Sequence, residues 1–246
     1  MGLTMYLDHA FAPTPQPLAA AGENCRNCAV RCAAFCSALE EGELAELSRI
    51  GRHVKVKAGH TVLWEAEEAF VVGNVISGLL KLSVHSRDGR EQIVGIVYPS
   101  DFIGRPFGSN SQHSVTAVTD AELCIFPRGV FDRFAGEHPR LEHALLRRTL
   151  DDLDRARHWM LLLARKTATE RVASLLVEMA ERLDGTNGQR IMLPLSRQQM
   201  ADLLGMAIET VSRTLTAMKR ARIIDLPGGR ALVIREMEKL LRLTAE

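Results

Sequence analysis

The sequence predicts an α+β protein in which a β-roll is followed by a long central helix and a C-terminal winged helix-turn-helix. Three observations predict this order. Short β-rich runs fill residues 53–127, apolar side chains then recur at helical spacing over 139–165, and two short amphipathic helices separated by a glycine follow over 196–222. The predicted parts are a tail (1–21), a cysteine-containing segment with the β-roll (22–136), the long helix (137–165) and the helix-turn-helix domain (166–246).

Composition is that of an ordinary globular protein. The 246 residues are 46% hydrophobic and 25% charged. No apolar run approaches the roughly 18 residues that would indicate a membrane span. The N-terminus lacks the basic cluster and apolar core of a secretory signal, and Pro13, Pro15 and Pro17 interrupt any regular element there. We therefore expect a loosely ordered tail and a cytoplasmic protein without a membrane partner.

Charge is distributed unevenly along the chain. The part from Arg165 onward carries 14 Lys and Arg against 10 Asp and Glu, whereas the preceding part carries 17 against 20. A basic C-terminal part on a mildly acidic body favours a polyanionic partner at that end.

Residues 53–127 contain seven β-rich runs separated by Gly, Asp, Pro and Ser. The runs are HVKVKA, TVLW, AFVVGNVISG, LLKLSVHS, EQIVGIV, HSVTAVT and AELCIFP. Their regular spacing is typical of a β-sandwich or β-roll of about eight strands. Residues His85–Arg90 predict an exposed hairpin turn between two of them, and Glu40–Ile50 predicts a short helix before the first.

The long helix carries a narrow apolar seam. Pro139 suits its first turn, and a helix of about 27 residues spans roughly 40 Å. The seam residues, spaced by three and four positions, are Leu146, Thr149, Leu153, Ala156, Met160 and Leu163. This spacing predicts pairing with a second copy of the helix; the alternative is that the seam packs on the chain's own β-roll. A further helix over 169–183 is predicted to end at the turn cluster 184–188.

The segment that follows predicts a helix-turn-helix. Ser196 and Gln199 form a capping-box pattern at the start of a short helix, Gly205 permits a tight turn, and a second amphipathic helix begins near Ile208. A β-hairpin around residues 227–229 would then form a wing.

The second helix predicts a reader of double-stranded DNA. Glu209, Ser212 and Arg213 lie on one face, where arginine can donate to guanine and glutamate can accept from the cytosine amino group. Lys219 and Arg220 follow as candidate phosphate contacts. The alternative for Glu209 and Arg213 is an ordinary solvated ion pair.

Four cysteines lie within twelve positions, and the fifth is distant. The four are Cys25, Cys28, Cys32 and Cys36, and the fifth is Cys124. An odd number of cysteines without a signal peptide argues against a disulfide framework. The residues leave open a zinc site, a thiol redox switch without metal, and a plain core role for Cys124. No nucleophile-elbow, P-loop or zinc-protease motif is present, so we do not expect an enzyme.

Together, the β-roll, the long helix and the Glu-Thr-Val-Ser-Arg run of the second helix resemble the CRP/FNR superfamily of bacterial regulators. The resemblance covers nearly the whole chain after the tail. It implies a cyclic-nucleotide-binding-like β-roll, a homodimer joined by the long helix, and reading of palindromic TTGAT-type half-sites by Glu209, Ser212 and Arg213. In one respect the chain departs from the family: Ala207 stands where relatives usually have Thr before the recognition helix. Loss of that capping hydroxyl costs about 1 kcal/mol of helix stability.

The same resemblance implies an RNA polymerase contact through the exposed turn that carries Arg87, Asp88 and Arg90. A solvated turn without a partner is the alternative for these residues.

Two ligand classes compete within this family. Cyclic-nucleotide binders carry a Gly-Glu pair for the ribose and a late Arg for the phosphate, but here no Glu follows Gly108, and residues 112–115 read Gln-His-Ser-Val. Arg105 lies upstream of that position. Burying a cyclic phosphate without a cation is unfavourable, so we do not expect a cyclic nucleotide, although another ligand stays open.

FNR-type oxygen sensors hold a [4Fe-4S] cluster with three N-terminal cysteines and one from the roll. Cys25, Cys28 and Cys36 match the C-x2-C-x7-C spacing of one branch, and Cys124 lies 88 positions after Cys36, where the resemblance places the fourth ligand. Cys32 would give C-x2-C-x3-C and is the alternative third ligand. The resemblance further implies that an intact cluster favours the dimer and DNA binding.

Overall fold

The computed structural model describes residues 25, 27–183, 190–228 and 230–244. The predicted tail 1–21, the turn cluster 184–188 and one residue of the predicted wing turn therefore lie outside the described residues. Among the helices described, none is long and apolar enough to cross a membrane.

The β-roll consists of two four-stranded antiparallel sheets. Its strands are β1 Arg52–Val56, β2 Thr61–Leu63, β3 Val71–Ser77, β4 Leu80–His85, β5 Glu91–Val97, β6 Phe102–Ile103, β7 Ser114–Ala117 and β8 Ala121–Pro127. One sheet has the order β1-β8-β3-β6 and the other β2-β7-β4-β5. Each of the seven predicted runs contains one strand, so the predicted roll is confirmed. The two-residue β6 escaped prediction because it is too short to show alternation.

Alternation along the first sheet separates two sets of side chains. On β3 and β8, Val75, Leu123 and Ile125 pack into the interior of the roll. The intervening residues Cys124 and Phe126 face outward, because successive side chains of a strand point to opposite faces. The outer face of this sheet is therefore the surface on which the N-terminal cysteine segment packs.

A cluster of aromatic rings holds the cysteine segment on that surface. Phe35, in the short 3-10 helix Phe35–Ala38, lies 5.4 Å from Phe102 and 5.5 Å from Phe131 between ring centroids, in edge-to-face geometry. Phe35 is 3% exposed. Such pairs stabilise beyond the burial of their area, so Phe35 anchors the residues next to it.

In the part of the chain that the structure describes, four α-helices pack on the roll or extend from it. They are α1 Glu41–Ile50, α2 Arg128–Glu137, α3 Pro139–Arg165 and α4 Ala168–Arg182. The long helix α3 covers the predicted residues and has Pro139 in its first turn. Helix α2 was not predicted, since Gly129 and Gly136 lower its helix propensity and it begins directly where β8 ends.

The C-terminal part forms the predicted helix-turn-helix with a wing. Its elements are β9 Arg190–Met192, α5 Arg197–Leu204, α6 Ile208–Arg220, β10 Ile224–Gly228, β11 Ala231–Ile234 and α7 Met237–Arg242. The capping box of Ser196 with Gln199 is present, and Gly205 adopts the left-handed conformation at φ 60° and ψ 45°. The wing strands pair with β9 in a three-stranded sheet that the sequence did not predict.

The roll and the helix-turn-helix domain share one hydrophobic core and one ionic junction. Leu79, Ile93 and Tyr98 of the roll pack with buried residues of α4 and the later helices. Beside them, Asp101 accepts hydrogen bonds from Arg148 of α3 at 2.7 Å and from Arg182 of α4 at 2.8 Å. The two halves of the chain thus contact each other directly as well as through α3.

Candidate functional site

Four of the five cysteines line a single small cavity between the N-terminal segment and the outer face of the first sheet. They are Cys25, Cys28, Cys36 and Cys124. The other lining residues are Val30, Leu47, His53, Asn74, Ile76 and Phe126. Cys32, by contrast, is exposed to solvent and does not line the cavity. The fold therefore brings together the four predicted ligands and leaves the alternative third ligand outside.

Backbone turns and buried neighbours position the N-terminal thiols. The Arg31 amide donates to the Cys28 carbonyl at 3.1 Å, and the Ala34 amide donates to the Val30 carbonyl at 2.8 Å. Val30 and Phe35 are buried, whereas Cys32 lies between them on the outer side of the turns. The burial of the apolar residues Val30 and Phe35 thus determines which of the nearby thiols face the cavity.

Three thiols of the cavity, those of Cys25, Cys36 and Cys124, have raised pKa values. Burial raises the pKa of Cys36 to about 11, and the neighbouring Cys28 and Cys25 raise it further. Burial likewise raises the pKa of the Cys124 and Cys25 thiols, with repulsion from nearby cysteines adding to the effect. Reactive cysteines of redox switches have lowered pKa values. The pKa values of Cys25, Cys36 and Cys124 are shifted in the opposite direction.

The thiols are not grouped as a mononuclear metal site requires. Within the described ranges, no three His, Cys, Asp or Glu side chains are arranged so that they could hold one metal ion. Zinc needs four ligands, each within about 2.3 Å of a common centre.

Two polar side chains flank Cys124 across the strand ladder. Asn74 of β3 and His53 of β1 are its direct cross-strand partners. The Nδ1 atom of His53 lies 3.3 Å from a Glu122 carboxylate oxygen. Asn74 is 3% exposed, and its Oδ1 atom has no hydrogen-bond partner. Sequence reasoning missed both residues because only strand register places them beside the cysteine.

The second candidate site is the exposed face of α6. Val211, Leu215 and Met218 are buried on the opposite face of the helix, which leaves Glu209 and Arg213 exposed. Ser212, between these two along the helix, is partly buried. The Arg213 guanidinium donates to the Thr210 hydroxyl at 3.3 Å. Arg213 is therefore oriented along the helix by Thr210, and not by the alternative partner Glu209.

The two ends of α6 differ in the contacts that their residues make within the chain. At the start, Ala207 makes no side-chain capping hydrogen bond, in agreement with the family departure noted above. At the end, Lys219 and Arg220 are exposed, and Lys219 Nζ lies 3.8 Å from the Asp225 carboxylate of the wing. The wing turns Asp225 back toward Lys219. Lys219 is therefore partly neutralised within the chain.

Most of the predicted seam of α3 is exposed to solvent. Leu146, Thr149, Leu153, Ala156 and Met160 are all exposed, Leu146 by 56% and Met160 by 70%. Leu163 is different, since it is partly buried against the C-terminal core. The seam does not pack on the β-roll, because the buried residues of the helix are Leu141, Leu145 and Leu162. Leu150 and Leu161 are further exposed apolar residues beside the seam.

Comparison with known proteins covers both halves of the chain. The family model of the Crp-like helix-turn-helix domain matches residues 170–243, and that of the cyclic nucleotide-binding domain matches residues 53–138. The transcriptional activator protein FnrL of Cereibacter sphaeroides is 42% identical over 223 residues, which are 88% of this chain and 90% of the relative. The nitrogen fixation regulation protein FixK of Bradyrhizobium diazoefficiens is 38% identical over 215 residues, which are 86% and 91% of the two chains.

A solved structure resembles most of this architecture. The structure of FixK2 from Bradyrhizobium japonicum superposes with a TM-score of 0.75 and 32% sequence identity, covering 80% of this chain and 98% of the other. The β-roll, the long helix and the helix-turn-helix domain thus occur together, in this order, in a related protein.

Proposed function

This chain belongs to the CRP/FNR superfamily of DNA-binding transcription regulators, and from that premise we propose that it responds to oxygen through an iron–sulfur cluster. The observation that carries the proposal is the single cavity lined by Cys25, Cys28, Cys36 and Cys124. As a member of this family, the protein is a regulator of transcription and not an enzyme.

The chemistry of the cavity fits a [4Fe-4S] cluster. Cysteine thiolates are its usual ligands, and hydrogen bonds to its sulfur atoms tune its potential. Here four thiols converge, and the buried carboxamide of Asn74 has an unpaired polar atom beside them. When bound, the cluster would supply reactivity toward oxygen that the protein side chains lack.

Contacts of the cysteine segment offer a route from this cavity to the rest of the protein. The Arg148 guanidinium of α3 donates to the Ala33 carbonyl at 2.9 Å and to the Asp101 carboxylate at 2.7 Å. Phe35 packs against Phe131 of α2. A change in the position of residues 33–36 would therefore alter contacts of both helices, and coupling of this kind to an interface is a known switching route.

The exposed seam of α3 supports a homodimer. Contiguous exposed apolar side chains on a long helix commonly mark an interaction surface, and spacing by three and four residues favours a second helix of the same kind. We assign Leu146, Thr149, Leu153, Ala156 and Met160 to this interface. Leu163 belongs to it only at its edge, because it already packs within its own chain.

The exposed face of α6 supports recognition of a palindrome. Two such helices in a dimer would enter major grooves about one helical turn apart. Glu209, Ser212 and Arg213 would then read each TTGAT-type half-site, while Lys219 and Arg220 contact phosphates. Bidentate contacts of this class discriminate bases, whereas phosphate contacts do not.

The hairpin turn between β4 and β5 supports a contact with RNA polymerase. Arg87, Asp88 and Arg90 are all exposed there, and the Arg90 Nε atom donates to Asp88 at 2.7 Å. The Gly89 amide donates to the Ser86 carbonyl at 2.9 Å, so the turn is held by its own hydrogen bonds. It thus presents its charges to a partner in a fixed shape.

Anaerobic purification followed by controlled exposure to air tests the proposed function. We expect broad visible absorbance, with iron and sulfide bound, and tight binding to a duplex with a TTGAT palindrome. Air should remove the absorbance and weaken that binding, as measured by fluorescence anisotropy. A scrambled duplex is the control. A protein that contains no iron, or whose affinity is the same after the absorbance is lost, would contradict the proposal.

A further inference from the structure

Asn74 is a polar residue in an apolar strand, and its amide oxygen is left unpaired in the interior. Its β3 neighbours Val72 and Val75 are completely buried, and Asn74 itself is 3% exposed. Asparagine is unfavourable in strands compared with valine or isoleucine. A buried polar atom without a hydrogen bond also costs free energy. Folding alone therefore gives no reason for an asparagine at this position.

Strand register fixes Asn74 directly beside Cys124. The two residues are paired across the antiparallel ladder, and both line the cavity of the four thiols. The preceding residue is Gly73, where a Cβ atom would lie 2.3 Å from the Cys124 carbonyl oxygen. Any side chain at position 73 would push the strands apart. The close approach of β3 to β8 therefore holds the Asn74 carboxamide against the cavity.

One ring nitrogen of the other polar neighbour of Cys124 already has a partner. His53 lies on the opposite side of Cys124 in the ladder, and its Nδ1 atom is 3.3 Å from Glu122. The carboxamide of Asn74 carries two N–H donors as well as the oxygen, and rotation about its last bond exchanges their places. Asn74 therefore has a polar group available to whatever is bound in this cavity.

We propose that the Asn74 carboxamide donates a hydrogen bond to a sulfur atom of the group bound by the four cysteines and thereby slows its oxidation. This proposal rests on the proposed function. A hydrogen bond to a cluster sulfur or ligand thiolate withdraws electron density and favours the reduced state. Asn74 would then be a positioning and tuning residue, and not a ligand.

The test compares Asn74→Leu with wild type under anaerobic conditions and then in air. The leucine keeps the side-chain size but removes the donor. We expect unchanged iron and sulfide content, a midpoint potential shifted to more negative values, and loss of visible absorbance in air that is about threefold faster or more. Tyr98→Phe is the matched control, because it removes another buried, unpaired oxygen atom far from the cysteines and should leave the rate unchanged.

Separate outcomes decide the two proposals. If wild-type protein binds no iron or sulfide, the proposed function fails. If the loaded Asn74→Leu protein keeps the wild-type potential and rate, only the role of Asn74 fails. If Asn74→Leu binds no iron or sulfide, the Asn74→Ser variant, which retains a donor, is tested instead. Asn74→Ser protein that binds iron and sulfide and loses its absorbance in air at an intermediate rate supports the hydrogen bond. If Asn74→Ser also binds no iron or sulfide, a tuning role is contradicted.

Discussion

Arg148 and Asp101 form an ion pair of 2.7 Å at the point where three parts of the chain meet. The other guanidinium nitrogen of Arg148 donates to the Ala33 carbonyl in the cysteine segment, at 2.9 Å. Asp101 also accepts from Arg182 of the helix-turn-helix domain at 2.8 Å, and its side chain is only 4% exposed. The Arg148–Asp101 pair therefore connects the cysteine segment, the long helix and the helix-turn-helix domain.

Replacement of Asp101 by asparagine should destabilise the protein. Breaking a buried ion pair by removing one partner costs about 3–5 kcal/mol, and partial exposure of Arg148 and Arg182 reduces the expected loss to about 2–3 kcal/mol. Chemical denaturation of the metal-free proteins at pH 7 measures this loss in the free energy of unfolding. Asp120→Asn breaks the exposed pair with Lys57 and serves as the control, with little expected change. Equal effects of the two substitutions would contradict a special role for Asp101.

The same pair predicts a pH dependence of stability. Burial acts to raise the pKa of Asp101, but the Tyr98 amide and the guanidinium groups of Arg155 and Arg182 outweigh it, so the pKa is lowered in the folded protein. A lowered folded pKa contributes stability above the unfolded pKa of about 3.9, and this contribution is lost as the pH falls through the folded pKa. The stability difference between wild type and Asp101→Asn should therefore shrink below about pH 4.

Base reading by Arg213 predicts a loss that depends on sequence. Arg213→Ala should cost about 1–3 kcal/mol of binding to the preferred palindrome and relax the base preference. Arg220→Ala should weaken binding to all sequences similarly and flatten the salt dependence. Lys219→Ala should do so to a smaller extent, since Asp225 already lies 3.8 Å from its ammonium group. If Arg213→Ala loses the same binding affinity for the preferred palindrome as for a random duplex, base reading by Arg213 is contradicted.

The sequence predicted the elements that carry a local signal and missed those that depend on tertiary pairing. The capping box at Ser196, the left-handed Gly205 and the length of α3 follow from patterns of a few neighbouring residues. Strand β6 and helix α2 were missed because one is too short and the other contains two glycines. Their packing against the rest of the protein, and not propensity, holds them in place.

For the cysteine site, the candidate ligands could be named from the sequence, but their surroundings could not. Spacing left Cys32 and Cys36 as alternatives, and the burial of Val30 and Phe35 separates them in space. Asn74 lies 50 positions before Cys124 and becomes its neighbour only through the pairing of β3 with β8. Likewise, only the turn of the wing brings Asp225 to Lys219.

The exposed seam predicts how the proposed dimer depends on the proposed cluster. No seam residue is charged, so we expect appreciable dimer even without the cluster, because no unpaired charge has to be buried. Ala156→Asp should make dimerisation depend more steeply on the cluster. His158→Asp places the same carboxylate on another side of α3 and is the control. Sedimentation at micromolar concentration measures both; a fully monomeric metal-free wild type, or an unaltered Ala156→Asp dimer, would contradict the account.

The β4–β5 turn predicts a defect confined to activation. Alanine at Arg87, Asp88 or Arg90 should lower transcription from a target promoter in vitro while DNA affinity is unchanged. Because the three side chains are exposed, the fold should tolerate each change. Alanine at the exposed Lys57, on another loop of the roll, is the control. Full activation by all three turn variants would exclude this contact.

We propose that Cys25, Cys28, Cys36 and Cys124 hold the cluster, with Cys32 outside it. The most direct test is the iron and sulfide content per chain of anaerobically purified Cys36→Ser and Cys32→Ser proteins. Cys32 is exposed and does not line the cavity, so Cys32→Ser should retain the wild-type content, whereas Cys36→Ser should lose it. Retention of iron and sulfide by Cys36→Ser together with their loss from Cys32→Ser would contradict the account.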